Sequence, residues 1–358
     1  MRARVFSLVV LGALIATTTA ANAQYQMQVY GLWHCYTDAC SWASVPDMTT
    51  FDTNNHWIID RNMNNTYHPS VNVVVLSFVD PVKLMNKTND SADVNGIPVG
   101  MNTAVINYFQ SHGIRVMMSI GGFSYTSHWD KALKANPTQL GTNAANAAKQ
   151  FNVGMEIDYE KSSNPDMADM QKFVSAYRTV LPYDATGANY AARLTIDIGD
   201  GDTYLTALES YAVTNWLNPS KPVLDYANAM VGSQSTSVAT LESGWQQHIQ
   251  GTSSVPPTAP ARLTGSLWAV GNNPSPNCIG PFASSDQETA YNFVSTIPAA
   301  GSGSSSGMLG YMFWGGGCQG NGTVCTYPPN TCQVGMGGGA TTFNIPCLLY
   351  TSPSPRDA

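Results

Sequence analysis

Eight short apolar runs, set apart by segments with helical spacing, constrain this chain more than any other feature of it. The clearest lies at residues 71–79, where Val73-Val74-Val75-Leu76 is continuous and mostly β-branched. Such a run suits a strand buried on both faces, as a parallel sheet requires. The other seven lie at residues 26–33, 115–120, 151–159, 193–198, 224–231, 263–270 and 308–314. Between them, residues 101–112 carry helical spacing that stops at Gly113. Met167, Met170, Phe173, Val174, Tyr177 and Leu181 form one apolar stripe, and Val238, Leu241, Trp245 and Ile249 form another. Ser285 with Glu288 makes a capping box ahead of Tyr291, Phe293 and Val294. Alternation of strand and helix predicts an α/β fold with a parallel sheet. Eight strands predict its closure into a (β/α)8 TIM barrel, and 358 residues are enough to build one.

Charge narrows the functional classes. Charged residues are 11% of the chain, the formal net charge is −7, and no basic run occurs. Nucleic acid is therefore excluded as a partner, since backbone binding needs clustered positive charge. Arg2 and Arg4 precede an apolar stretch at residues 5–15, and Ala21-Asn22-Ala23 supplies small residues for cleavage. This pattern predicts a signal peptide over 1–23, a mature chain from Gln24, and secretion. The stretch is too short to span a bilayer, so no membrane association is expected.

Export permits disulfides. The chain has seven cysteines: Cys35, Cys40, Cys278, Cys318, Cys325, Cys332 and Cys347. Cys35 and Cys40 are spaced for a local loop, while the remaining connectivity cannot be read from spacing. No C-x-x-C pair and no suitably spaced histidine point to zinc. After Trp314 the composition turns to Gly, Cys and Asn without periodicity, which predicts an irregular Cys/Gly-rich tail over 318–346. Residues 347–358 resemble a translated sequencing adapter and are expected to be non-native. The expected barrel domain spans 24–317.

The chemistry concentrates at residues 151–160. In a strand, alternate side chains share a face. Glu156, Asp158 and Glu160 would then face one way, and Met155, Ile157 and Tyr159 the other. Three carboxylates on one face of an apolar strand are costly to bury. Crowded acids raise one another's pKa, which keeps one protonated as a general acid must be. Glu160, at the strand's end, would lie at the C-terminal mouth where barrel active sites occur. The competing reading is an edge strand with solvated acids.

The neighbouring runs favour the first reading, and here the chain resembles the family-18 glycoside hydrolases. That family ends its third strand in S-x-G-G, matched by Ser119-Ile120-Gly121-Gly122, with Ser119, Gly121 and Gly122 as substrate-binding positions. Its fourth strand carries D-G-x-D-x-D-x-E, which here reads Val153-Gly154-Met155-Glu156-Ile157-Asp158-Tyr159-Glu160. Its last strand ends in a tryptophan that floors the sugar site, matched by Trp314. Val153 and Glu156 depart from the pattern. So does Met230-Val231-Gly232-Ser233, where the family often has M-x-Y-D/N, leaving Tyr226 or Asn228 to stand in.

The resemblance implies substrate-assisted, retaining hydrolysis of β-1,4-linked N-acetylglucosamine. Glu160 would be acid and base, with Asp158 and Glu156 assisting. The expected partner is chitin or an N-acetylglucosamine oligosaccharide, the expected state a monomer, and no cofactor or metal is implied. An endo-β-N-acetylglucosaminidase acting on N-glycan cores and a non-catalytic chitin-binding lectin are the alternatives. Aromatic faces suit the apolar C–H surface of a sugar ring. Trp33, Trp129 and Trp268, near strand ends, join Trp314 as candidate platforms. His34 and His128 read as polar loop residues. Asp197, Asp200 and Asp202 read as a solvated loop, with a part in shaping the cleft as the alternative.

Overall fold

The β-branched run becomes a strand whose seven residues are all buried, Val73–Val79. It is one of eight parallel strands that close into a barrel in a computed structural model. The structure describes residues 29–35, 40, 42–59, 61–63, 66–69, 71–230, 237–268, 289–290, 293–294 and 308–316. The barrel strands are β1 (Val29–His34), β2 (Val73–Val79), β3 (Arg115–Gly121), β4 (Gly154–Asp158), β5 (Leu194–Ile198), β6 (Ala227–Ala229), β7 (Leu263–Trp268) and β8 (Gly310–Trp314). Each pairs with the next, and β8 closes on β1 through Val29 opposite Gly310. Two short antiparallel hairpins lie outside this wall. The helices are α1 (Met48–Ile59), α2 (Pro81–Asn86), α3 (Thr103–Gln110), α4 (Thr126–Ala135), α5 (Pro137–Phe151), α6 (Met167–Val180), α7 (Thr206–Asn215) and α8 (Val238–Gln250).

Strand alternation divides the core in two. Outward residues such as Val74, Leu76, Met155, Ile157, Tyr311 and Phe313 pack with helix residues such as Phe109, Phe173, Tyr177 and Trp245. Inward residues Val29, Trp33, Val73, Val75, Met117, Tyr226 and Met312 form a separate apolar plug within the barrel. Full burial of each large apolar side chain stabilises by roughly 1.5–3 kcal/mol. The plug fills the N-terminal part of the lumen, so polar side chains in the same file of inward positions are pushed toward the C-terminal end.

Several boundaries differ from the sequence expectation, each for a local reason. β4 begins at Gly154, not at residue 151. Phe151 ends α5, and Asn152 terminates it in the left-handed conformation with its N–H on the Ala148 carbonyl. The strand stops at Asp158, so Glu160 lies two residues past its end. β6 is three residues long, and Leu224 is tied to the Trp216 carbonyl instead. α3 starts at Thr103 because Asn102 accepts from the N–H groups of Ala104 and Val105 as its cap. The capping box at Ser285, the signal segment, residues 318–358 and Val231-Gly232-Ser233 lie outside the described residues. Cys35 and Cys40 form a disulfide.

At the opposite end from the strand C-termini, Asp225 ties three elements together. It pairs with Arg193 ahead of β5 and with Arg178 of α6, and it accepts the Leu194 N–H at 2.8 Å. All three charged side chains are largely buried. Removing one partner of such a group strands the others without compensation. Asp225→Ala should therefore cost about 3–5 kcal/mol, read as a lower midpoint in urea unfolding with an unchanged slope.

Candidate active site

The S-x-G-G segment places two strands closer together than any side chain would allow. Gly121 ends β3 opposite Asp158, with φ 118°. A Cβ there would stand 1.9 Å from the Asp158 carbonyl oxygen and 2.2 Å from the Trp129 indole nitrogen. That carbonyl instead accepts from the Gly122 N–H at 3.0 Å and from Trp129 Nε1 at 2.9 Å. Trp129 also donates to the Ile120 carbonyl at 3.2 Å. The end of β4 is thereby pinned at the point where its acids emerge. A Cβ on Gly122, at φ 96°, would press on the Phe78 ring at 3.2 Å.

Glu156 is the deepest of the three acids and is fully buried. Each of its oxygens has a donor: Trp33 Nε1 reaches Oε1 at 2.9 Å, and Asn228 Nδ2 reaches Oε2 at 2.7 Å. Asn228 is oriented by Thr264, whose hydroxyl donates to its Oδ1 at 2.6 Å. Strands β1, β4, β6 and β7 thus meet across the lumen through one hydrogen-bonded chain. Ser119, buried, sits opposite Glu156 in register. Asp197 of β5 joins the group and is 2% exposed. Burial raises the Glu156 pKa, against hydrogen bonds from Asp197, Trp33 and Asn228. Burial, then the charges of Glu156 and Asp158, push Asp197 well above the usual carboxylate range.

Above this layer the site opens. Asp158 is 4% exposed, while Glu160 is only half-buried. Tyr204, in the loop between β5 and α7, donates its hydroxyl to Glu160 Oε2 at 3.1 Å. Trp314, half-buried at the end of β8, packs its ring against Trp33 at 6.0 Å and Phe78 at 6.1 Å between centroids. Phe123, on the turn after Gly122, is 66% exposed. The arrangement offers acids graded from dry to wet, with aromatic surface at the rim. Among the described residues no cluster of His, Cys, Asp and Glu is arranged to hold a metal ion.

Several sequence candidates take other places. Trp33 is 2% exposed, and its indole serves Glu156 from inside the plug rather than presenting a face to solvent. Trp129 is fully buried against Tyr159 and Phe173. Tyr226 is 1% exposed and lies at the barrel floor with Val73, Arg115, Met117 and Arg193, its hydroxyl 3.7 Å from the Met117 sulfur. That position separates it from the mouth by a whole layer, and Asn228 occupies the layer between. The indole of Trp268 lies outside what the structure describes, although its backbone ends β7. Val153 belongs to the outer core, so this departure from the acidic pattern falls outside the lumen. His34 is buried and donates to Asn55 Oδ1 at 2.6 Å, with burial lowering its pKa to about 4. His128 contacts Asp80 at 2.8 Å. Asp197, expected in a solvated loop, is a lumen residue. Its signal was the alternation Thr195-Ile196-Asp197-Ile198, which puts Asp197 on the Thr195 face.

Eight parallel strands closed on themselves, with helices between them and acids converging on the C-terminal mouth, make the fold a (β/α)8 barrel. A GH18 chitinase from Pseudoalteromonas aurantia has this fold, with a TM-score of 0.50 and 13% identity over 81% of this chain and 96% of that one. A chitinase from Rhizomucor miehei aligns over 80% of this chain and 94% of its own at 12% identity, with a TM-score of 0.48. One from Aspergillus fumigatus aligns over 80% and 90% at 12% identity, with a TM-score of 0.46. No protein-family model matches the sequence, and no curated protein matches it.

The glycine contact gives a direct test. Gly121→Ala forces a side chain into a left-handed position and into the β4 carbonyl. Backbone strain alone should cost about 1–3 kcal/mol, with overpacking adding about 1–3 kcal/mol. Thermal unfolding should show a large drop in midpoint, whereas Gly113→Ala, also at positive φ (77°) but with open space around its Cβ, should show only the backbone part of it.

Proposed function

We propose that this chain is a secreted glycoside hydrolase cleaving β-1,4-linked N-acetylglucosamine, with Glu160 as general acid and base. The supporting observation is the file Glu156–Asp158–Glu160, which runs from a dry hydrogen-bonded layer to a half-exposed carboxyl at the mouth. Glu160 is the member that a bound sugar can reach, and Tyr204 fixes one of its oxygens. Glu160 then protonates the glycosidic oxygen. The substrate's N-acetyl oxygen attacks the anomeric carbon. Asp158 orients the acetamido N–H and stabilises the positive oxazolinium ion electrostatically. Glu160, now a base, takes a proton from the water that opens this ring. No step needs a metal or organic cofactor.

Trp314 floors the sugar site in this reading, and the exposed Phe123 supplies a second platform on the β3 side of the mouth. Secretion and the mature start at Gln24 belong to the same proposal, since they rest on residues 1–23. No helix among the described residues is long and apolar enough to cross a membrane.

Glu160→Gln should lower turnover of a fluorogenic chitobioside about 10²–10⁴-fold while chitin pull-down persists. Near-normal turnover would remove Glu160 from its role. Binding without cleavage by the unmodified protein would identify a lectin, and preferential release of glycans from a glycoprotein would identify the N-glycan reading. Trp314→Ala should raise KM more than it lowers kcat, with about 0.5–1.5 kcal/mol of stacking lost. Steady-state kinetics on chitin oligosaccharides separates the two constants.

A further inference from the structure

Asp197 takes no part in the steps above, yet it occupies the lumen beside them. It is the fourth residue of β5, and its Cα pairs with that of Asn228 on β6. Asn228 holds one oxygen of Glu156 while Trp33 holds the other. The acids whose charges act on Asp197 are Glu156 and Asp158 of β4. The floor below holds the titratable groups Tyr190, Tyr226, Arg115 and Arg193. Arg193 is engaged by Asp225.

Two ionised carboxylates pressed together in a dry cavity repel strongly, and such a pair titrates as a unit. The donors decide which member keeps the proton. Glu156 receives an N–H on each oxygen and is stabilised as the anion, whereas Asp197 shares Asn228 with it. Asp197 is 2% exposed, and its Oδ1 is buried without a hydrogen-bond partner. We propose that Asp197 is a positioning residue that remains a carboxylic acid and donates its proton to Glu156, so that the two together hold a single negative charge beside Asp158. The raised pKa of Asp197 agrees with this assignment.

The catalytic consequence rests on the hydrolase reading. Loss of the Asp197 proton would break its bond to Glu156 and place a second anion against Asp158, an ionisation separate from that of the acid Glu160. A stability consequence holds whatever the activity. An acid whose folded pKa is raised stabilises the fold fully below its unfolded pKa, and that stability is lost as pH rises through the folded pKa.

The test uses the full chain and Asp197→Asn, whose amide donates to Glu156 but cannot be titrated away. Difference infrared spectroscopy at neutral pH should show a protonated-carboxyl C=O band in the wild type that is lost in Asp197→Asn. The band should also vanish in Glu156→Gln, where the new amide supplies the donor and leaves Asp197 ionised. Thermal midpoints should fall less steeply with rising pH in Asp197→Asn than in the wild type. Absence of the band from the wild type, its survival in both variants, or a melting midpoint that falls as steeply with pH in Asp197→Asn as in the wild type would overturn the assignment. A wild type without hydrolytic activity would defeat the hydrolase reading instead, and the infrared and melting results would still decide the proton's place.

Discussion

A carboxylate inside a closed barrel must find its partners across the lumen, because its own strand supplies none. Glu156 meets this constraint through Trp33 of β1 and Asn228 of β6, with Thr264 of β7 orienting the asparagine. The rest of the site is arranged around that requirement. The apolar plug below keeps water out of the lower lumen and so strengthens each of these bonds. The glycine pair above brings β3 close enough to hold the Asp158 carbonyl, which sets where the next acid emerges. Glu160 is then left half-buried at the edge of solvent, with the Tyr204 hydroxyl on one oxygen, whereas the glutamate four residues earlier is fully buried.

This gradient explains how three acids spaced two apart in the sequence can differ in kind. Burial changes at each step, so one sequence pattern yields a fully buried, hydrogen-bonded carboxyl at the bottom and a half-buried one at the top. The same logic suits a glutamate at position 156, whose side chain has contacts to satisfy on two separate strands. Val153 packs in the outer core between wall and helices.

The barrel was legible in the sequence because β-branched runs such as Val73–Val79 and helical stripes such as that of α6 are patterns within one element. α5 was not, since Ala144, Ala145, Ala147 and Ala148 bury a helix face without the large apolar side chains that mark a stripe. The β4 acids were legible from alternation alone. What stayed hidden depended on partners across the barrel. Trp33 looks like any tryptophan near a strand end until Glu156 is seen beside it. Tyr226 and Asn228 are two residues apart, and only the layering of the lumen shows that one lies at the floor and the other in the acid layer. Asp197 sits among the aspartates of a loop-like stretch, so local composition masked the strand alternation that turns it inward.

All of this turns on whether the mouth receives a sugar with its scissile bond over the acid file. A crystal structure of the protein soaked with a short N-acetylglucosamine oligomer tests it most directly. The account predicts a glycosidic oxygen within about 2.6–3.2 Å of the Glu160 carboxyl, the acetamido group on Asp158, and a sugar ring on Trp314. An oligomer bound elsewhere on the surface, or at the mouth with its linkage beyond reach of Glu160, would contradict it.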